Sequence, residues 1–363
     1  MKMRTISTLT GCVKQLMSQT PRVCASQTPR VPPILTPSAT RAPPCLVPHR
    51  CYSDRAKAYH ERPYIPRRTL MYVPGHDVKK LRKVPNLGVD CAVLECEDGV
   101  ALNKKAEARE NIRQMLDEVD FSGVDCALRV NSVSSGLVEQ DLKVIFKADR
   151  LPQTILLPKV DTVEDLTQFT DLLRAVTADR KGYCPYLLTY VESAQGVLNM
   201  QDVLQKARQY STQGVFHMDG VVFGSDDFCA DIGAVRTTDA RELTYARQKV
   251  VMVAKAFRLQ AIDLVFIDIK DTESLRHQSL EGARLGYTGK QVVHPGQVST
   301  VRDAFTPSGE RVQWAMELVA AFEQHQDSGK GAFTFHGNMI DMPLLLQAKN
   351  TLKIVKNIES SDS

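Results

Sequence analysis

Two short apolar runs in this chain end on acids. GVVFGSDDF, residues 220–228, climbs through valines and stops on Asp226 and Asp227, and LLTYVESAQG, residues 187–196, climbs in the same way to Glu192. Carboxylates presented from neighbouring strand ends suit a hard divalent cation. Mg²⁺ takes oxygen ligands in octahedral geometry, keeps several waters and needs only one or two protein carboxylates, which leaves positions for an anionic substrate. Glu192 and Asp227 are the candidate metal ligands. A single Asp at a strand end is also an ordinary turn residue or helix cap, so the whole chain has to supply the context.

Short apolar runs recur at Thr69–Val73, Asp90–Glu95, Cys126–Val130, Thr154–Pro158, Leu187–Val191, Gly220–Phe223, Asp263–Ile267 and Gln291–Val293. Helix-compatible stretches lie between them, among them 104–119, 162–177, 198–210 and 238–259. Strands alternating with helical patterns predict βαβ units and a parallel sheet. Eight such units match a (β/α)8 TIM barrel of about 250 residues; an open doubly wound sheet is the alternative. In a barrel the chemistry sits on the loops after the strands. Ionisable and polar types do follow the runs: Tyr72, then Glu95, Glu97 and Asp98, Arg129 and Asn131, Lys159, Glu192, Asp226 and Asp227, Asp268, and His294.

Beyond the eighth run, residues 310–325 form an amphipathic helical pattern with the single Trp, Trp314. A Gly-rich stretch over 329–341 and a helical pattern over 342–355 follow. This exceeds a barrel's closing helix and predicts a C-terminal extension acting as a lid or an oligomerisation arm.

The first 53 residues hold seven Lys or Arg and no Asp or Glu, so the formal charge of +4 belongs to them and the remainder is net −3. That Arg-, Ser-, Thr- and Pro-rich composition is that of an organellar presequence. RCYS at 50–53 marks a cut after Tyr52, giving a leader over 1–52, a barrel over 53–300 and an extension over 301–363, with a mitochondrial matrix address. No later stretch interleaves aromatics with basic residues, which argues against nucleic acid. No apolar run nears the roughly 18 residues of a membrane span. Four of the nine cysteines fall in the leader, and the other five are scattered as small core residues. GxGxxG, HExxH, GxSxG and a Walker loop are missing from the sequence, which removes support for nicotinamide chemistry, zinc proteolysis, hydrolase elbows and Walker-type nucleotide hydrolysis.

LMYVPGHDVKKLRK, LECEDGV, LRVNSVSSG, LLPKV, YVESAQG, VVFGSDDF, GKQVVHP and GAFTFHGNMIDMP, in this order, closely resemble the citrate lyase beta-subunit-like family of the HpcH/HpaI aldolase superfamily, from about Arg67 to Leu352. The resemblance implies that Glu192 and Asp227 hold Mg²⁺, and that Tyr72, Lys79, Lys83, Arg129, Ile267 and Asp268 contact substrate or CoA. It assigns Asp341 to catalysis, on a tail that closes over a neighbouring protomer's site in a homotrimer. Glu95 stands where relatives often carry Asp.

The reaction it implies is cleavage of (3S)-citramalyl-CoA into pyruvate and acetyl-CoA. Mg²⁺ would act as Lewis acid on the pyruvyl half. Arg129 would hold carboxylate or enolate oxygen, and Asp341 would exchange a proton with the acetyl carbon. Lys79 and Lys83, four apart, would share one helical face toward the CoA phosphates. Malyl-CoA cleavage and malate synthesis from glyoxylate keep the same site. A non-catalytic acyl-CoA-binding subunit is the reading from another class.

Overall fold

Eight parallel strands close on themselves in chain order: β1 (Thr69–Pro74), β2 (Cys91–Glu95), β3 (Asp125–Arg129), β4 (Thr154–Leu157), β5 (Tyr186–Val191), β6 (His217–Phe223), β7 (Gln260–Asp263) and β8 (Gly289–Val292). β8 pairs back onto β1, so the fold is the expected (β/α)8 barrel. The structure is a computed structural model describing residues 63–326 and 333–361. The expected leader over 1–52 lies outside the described residues.

The strands are near-continuous apolar runs because both faces are covered. Every residue of β2, β4 and β5 is buried. The strand period of two sorts them. Leu70, Val93, Ala127, Leu156, Leu188 and Val222 fill the barrel interior, while Met71, Val73, Leu94, Leu128 and Ile155 pack outward into the helical layer. The seventh strand differs from expectation: it begins at Gln260 and ends at Asp263, because its ladder partners are Gly220–Val222 of β6. Leu264 and Phe266 prolong the apolar run beyond the ladder and pack in the outer core.

The helical layer comprises α1 (Val78–Leu81), α2 (Lys105–Glu118), α3 (Val138–Ile145), α4 (Val163–Thr177), α5 (Ala194–Thr212), α6 (Ser225–Ile232), α7 (Thr244–Ala256), α8 (Thr272–Leu285) and α9 (Val298–Ala304). After β1 the helix shrinks to the single turn α1. Among the described residues no helix is long and apolar enough to cross a membrane.

Arg67 closes the N-terminal end of the barrel. Fully buried, it donates to Asp125 Oδ2 at 2.6 Å, to Thr154 Oγ1 at 3.0 Å and to Asp219. Asp219 is freed from the ladder by a register shift, since Leu187 pairs with Met218 but Leu188 pairs with Gly220. A Cβ on Gly289 would lie 1.8 Å from the Arg67 carbonyl oxygen, so only glycine fits there.

A second unit spans Ser308–Val355. It contains α10 (Gly309–Gln326), the hairpin β9 (Phe333–Phe335) and β10 (Asn338–Ile340), and α11, which starts at Met342. Its own core includes Val312, Val319, Phe322, Ile340 and Leu345. The Gly-rich stretch thus supplies a hairpin: His336 and Gly337 take φ of 46° and 79°, the pair of positive values that a tight two-residue turn demands.

Candidate active site

The period of two that fills the barrel also builds its upper rim. Counting on from Val93, Ala127 and Leu188, the next inward positions are Glu95, Arg129 and Tyr190, with Glu192 just past the end of β5. Glu95 and Arg129 are ladder partners, and Arg129 Nε donates to Glu95 Oε2 at 2.6 Å while its NH1 reaches Glu97 Oε2 at 3.1 Å. The guanidinium carbon stands 4.7 Å from the ring centre of Tyr72 and 5.5 Å from that of Tyr190. The two phenol oxygens meet at 2.5 Å, and Tyr72 donates to Gln291 Oε1 at 2.7 Å. Gln291 is itself fixed by donating to the carbonyls of Phe223 and Asp263 at 2.9 and 3.0 Å. Burial opposes charge on Arg129, but Glu95 and its neighbours outweigh that and hold the guanidinium firmly protonated. Burial raises both phenols, so Tyr72 and Tyr190 act as neutral donors.

Glu192 occupies the joint between β5 and α5, where Ser193 caps the helix by accepting from the Gly196 amide at 2.8 Å. Glu192 as a whole is 5% exposed. Its Oε1 accepts from the Lys159 amide at 2.5 Å. Burial first, and the negative charge of Asp227 second, push its pKa up to about 8. Asp227 lies exposed in the first turn of α6, and its neighbour Asp226 is committed to Arg236 at 3.4 Å. Gly224 stands over Glu192 Oε2, where a Cβ would intrude at 2.5 Å.

Two oxygen donors, one of them buried beneath a glycine and disfavoured as an anion by burial and by the charge of the other, are what a hard divalent cation would stabilise in charged form. The described residues contain no cluster of three or more His, Cys, Asp or Glu suited to a metal.

Lys159 ties this acid to Arg129. Its amide serves Glu192, and its Nζ donates to Glu97 Oε1 at 2.8 Å and reaches Asp98 at 3.5 Å. Lys105 Nζ steadies the same loop through the carbonyls of Cys96 and Glu97 and Asn131 Oδ1, all within 2.8 Å.

A cavity of about 580 Å³ opens beside Arg129 where the helix after β1 is cut short, lined by Tyr72, Lys80, Lys83, Leu87, Val293 and His294 among others. Tyr72, Arg129 and Lys83 therefore meet as expected. Lys79 is exposed and is not among the lining residues, whereas Lys80 is. Past α1 the backbone tightens, with the Lys83 amide bonding the Lys80 carbonyl at 3.0 Å, and three-residue spacing puts Lys80 rather than Lys79 on the side of Lys83.

Ile267 and Asp268 line a different cavity, of about 140 Å³, with Asp226 and Arg236. The last turn of the barrel rim supplies Val293 and His294 to the larger cavity in their place. Asp341 belongs to the second unit, where it caps α11 and its Oδ1 accepts from the Leu344 amide at 3.3 Å. Tyr190 and Gln291 were not singled out from the sequence. A tyrosine two residues before Glu192 and a glutamine inside an apolar strand were the available signals.

The model of the HpcH/HpaI aldolase/citrate lyase family matches residues 68–295. The mitochondrial citramalyl-CoA lyase of Homo sapiens is 49% identical over 314 residues, covering 86% of this chain and 91% of that protein. A solved citrate lyase from Burkholderia xenovorans superposes with a TM-score of 0.70 at 18% identity, over 83% of this chain and 95% of that one. The Mycobacterium tuberculosis CitE protein, solved in complex with magnesium, acetoacetate and coenzyme A, gives 0.62 at 24% identity, over 80% and 98%. The chain belongs to the HpcH/HpaI aldolase/citrate lyase family.

Proposed function

We propose that this chain is a Mg²⁺-dependent carbon–carbon lyase that cleaves (3S)-citramalyl-CoA into pyruvate and acetyl-CoA in the mitochondrial matrix. The observation that carries this is the rim itself, where a half-buried, charged Arg129 lines a cavity bearing Lys80 and Lys83, and the carboxylates of Glu192 and Asp227 follow the ends of β5 and β6. The family and the half-identical human relative, named a mitochondrial citramalyl-CoA lyase, support the substrate and the compartment. The basic leader agrees with the address.

In cleavage the tertiary hydroxyl loses its proton and becomes the ketone of pyruvate. The carbon–carbon bond breaks, its electron pair passes to the thioester as an enolate, and a proton returns to the acetyl carbon. Glu192 and Asp227 would hold Mg²⁺, which supplies Lewis acidity toward the hydroxyl and carboxylate of the pyruvyl half. Arg129, pinned by Glu95 and stacked on two tyrosines, offers its remaining donors to developing negative oxygen without reorganising. Neutral Tyr72 and Tyr190 add no charge of their own to that environment. Lys80 and Lys83 bind the CoA phosphates as mobile point charges. Asp341 returns the proton, carried by the tail of a neighbouring copy in a homotrimer. Its exposed place at the head of α11 agrees with service to another surface.

Pyruvate differs from glyoxylate by one methyl, worth about 1–3 kcal/mol in a pocket, so malate synthesis from glyoxylate and acetyl-CoA accompanies the main activity. The test is a coupled assay for pyruvate release from (3S)-citramalyl-CoA with and without Mg²⁺. Fast metal-dependent release is expected; silence from the folded, metal-loaded protein would overturn the assignment.

A further inference from the structure

Four non-glycine residues among those described take positive φ: Lys159, Ala240, Arg258 and His336. His336 sits in a hairpin turn, Arg258 two residues past the end of α7, and Ala240 at the head of a 3-10 turn. Lys159, at φ 53°, lies in the connection between β4 and α4, at neither a helix end nor a hairpin. A left-handed backbone costs an L-residue energy that glycine escapes, and it persists where the surroundings over-determine it.

Both ends of Lys159 are used. Its main-chain N–H donates to Glu192 Oε1 at 2.5 Å, and its Nζ donates to Glu97 Oε1 at 2.8 Å. Glu97 is 4% exposed and spends its other oxygen, Oε2, on Arg129 NH1 at 3.1 Å and on the Asp98 amide at 2.9 Å. Arg129 already gives Nε to Glu95. Without the lysine cation, Glu97 Oε1 is released and the carboxylate can turn both oxygens onto the guanidinium fork, the geometry that arginine and carboxylate favour.

We propose that Lys159 is a positioning residue of the rim: its amide fixes Glu192 while its ammonium keeps the second oxygen of Glu97 from Arg129, leaving the guanidinium's outer donors for an anionic substrate. A glycine would satisfy the backbone at no conformational cost and would still hold Glu192, so the side chain is retained for the second task. This rests on the lyase reading given above and deepens it. It also fixes the sign of two effects. Removing a cation from a rim that carries Glu95, Glu97, Asp98, Glu192 and Asp227 favours a bound metal ion and disfavours a bound carboxylate.

The experiment uses the full chain and its Lys159→Gly, Lys159→Met and Lys159→Arg variants. Mn²⁺ affinity is followed by electron paramagnetic resonance, pyruvate affinity of the Mg²⁺-saturated protein by isothermal titration, and kcat/KM on (3S)-citramalyl-CoA by pyruvate release. Lys159→Gly and Lys159→Met should lose about 10–100-fold in pyruvate affinity and in kcat/KM. Their Mn²⁺ affinity should be unchanged or tighter, Lys159→Gly should melt no lower than the parent, and Lys159→Arg should recover most of the loss.

Pyruvate affinity and kcat/KM within about threefold of the parent in both variants would overturn the assignment, since outer partners normally count for more. So would a parallel fall of Mn²⁺ affinity, pyruvate affinity and melting temperature, the mark of a purely structural residue. A parent chain that neither binds pyruvate nor cleaves the thioester would instead overturn the lyase reading, and this assignment with it.

Discussion

A Cβ on Gly224 would lie 2.5 Å from both the Cβ and the Oε2 of Glu192. Gly224 has φ −82° and ψ 82°, which alanine can adopt, so the conflict is one of contact rather than of conformation. The glycine exists to let the carboxylate stand at the head of α6 beside Asp227. Gly224→Ala should therefore displace Glu192. The expected outcome is a divalent-ion affinity lowered about 10–100-fold with a stability loss of only ~1–3 kcal/mol, read by Mn²⁺ titration and urea unfolding. Undiminished Mn²⁺ affinity would show that Glu192 does not hold the ion.

The raised pKa of Glu192 has a consequence for pH. In the unfolded chain this carboxyl titrates near 4.5, whereas the folded, metal-free protein holds its proton up to about 8. Between those values the folded state binds more protons, so the stability this residue contributes is present at low pH and is lost as pH rises toward 8, by an amount on the order of a few kcal/mol. A divalent cation must displace that proton. At pH 6–7 its binding should release up to about one proton, measurable by titration calorimetry in buffers of differing ionisation enthalpy. Mg²⁺ should also protect against heat more strongly at pH 8 than at pH 6. Proton-neutral binding across this range would remove Glu192 from the ligand set.

The barrel was legible because fully covered parallel strands are apolar runs, and the helix-length polar stretches between them leave few other folds. The placement of Glu192 and Asp227 just past β5 and β6 was legible because each ends such a run. Legibility failed where pattern and ladder part company. The apolar run continues through LVFI past the end of the strand QAID, so β7 was expected three residues late. Tyr190 and Gln291 sit inside runs, and only ladder parity reveals that they face the barrel axis under Arg129. The left-handed backbone at Lys159, on which the role proposed for it rests, is announced by no residue type.

Spacing and structure differ by one residue at the lysines for a similar reason. A four-residue helical spacing joins Lys79 to Lys83, but the chain past α1 bonds at three, and Lys80 lines the cavity with Lys83. Lys80→Ala with Lys83→Ala should raise KM for the acyl-CoA at least about tenfold, with turnover falling less, since phosphate contacts remote from the bond being broken chiefly supply uniform binding. Lys79→Ala should stay near the parent. Steady-state kinetics on the parent, this double variant and Lys79→Ala decides, and a rise in KM for Lys79→Ala as large as that of the double variant would count against the cavity as the CoA site.

Asp341 presents the sharpest choice between a bland and a catalytic role, because it performs the bland one visibly, capping α11 through the Leu344 amide. Asp341→Asn keeps a good cap, since Asn and Asp serve equally there, and so leaves the fold intact while removing the acid. Turnover should fall about 10²–10⁴-fold, the usual worth of a positioned proton donor, with Mn²⁺ affinity and melting temperature unchanged. Whether the acid serves its own barrel or a neighbour's is settled by mixing. Asp341→Asn chains retain a working rim, and Glu192→Gln chains retain a working tail. If the tail crosses between copies, co-refolding the two inactive variants regenerates sites with both parts, and activity returns to a substantial fraction of the parent's. If each tail serves its own barrel, every site in the mixture stays defective and the mixture is as inactive as its components.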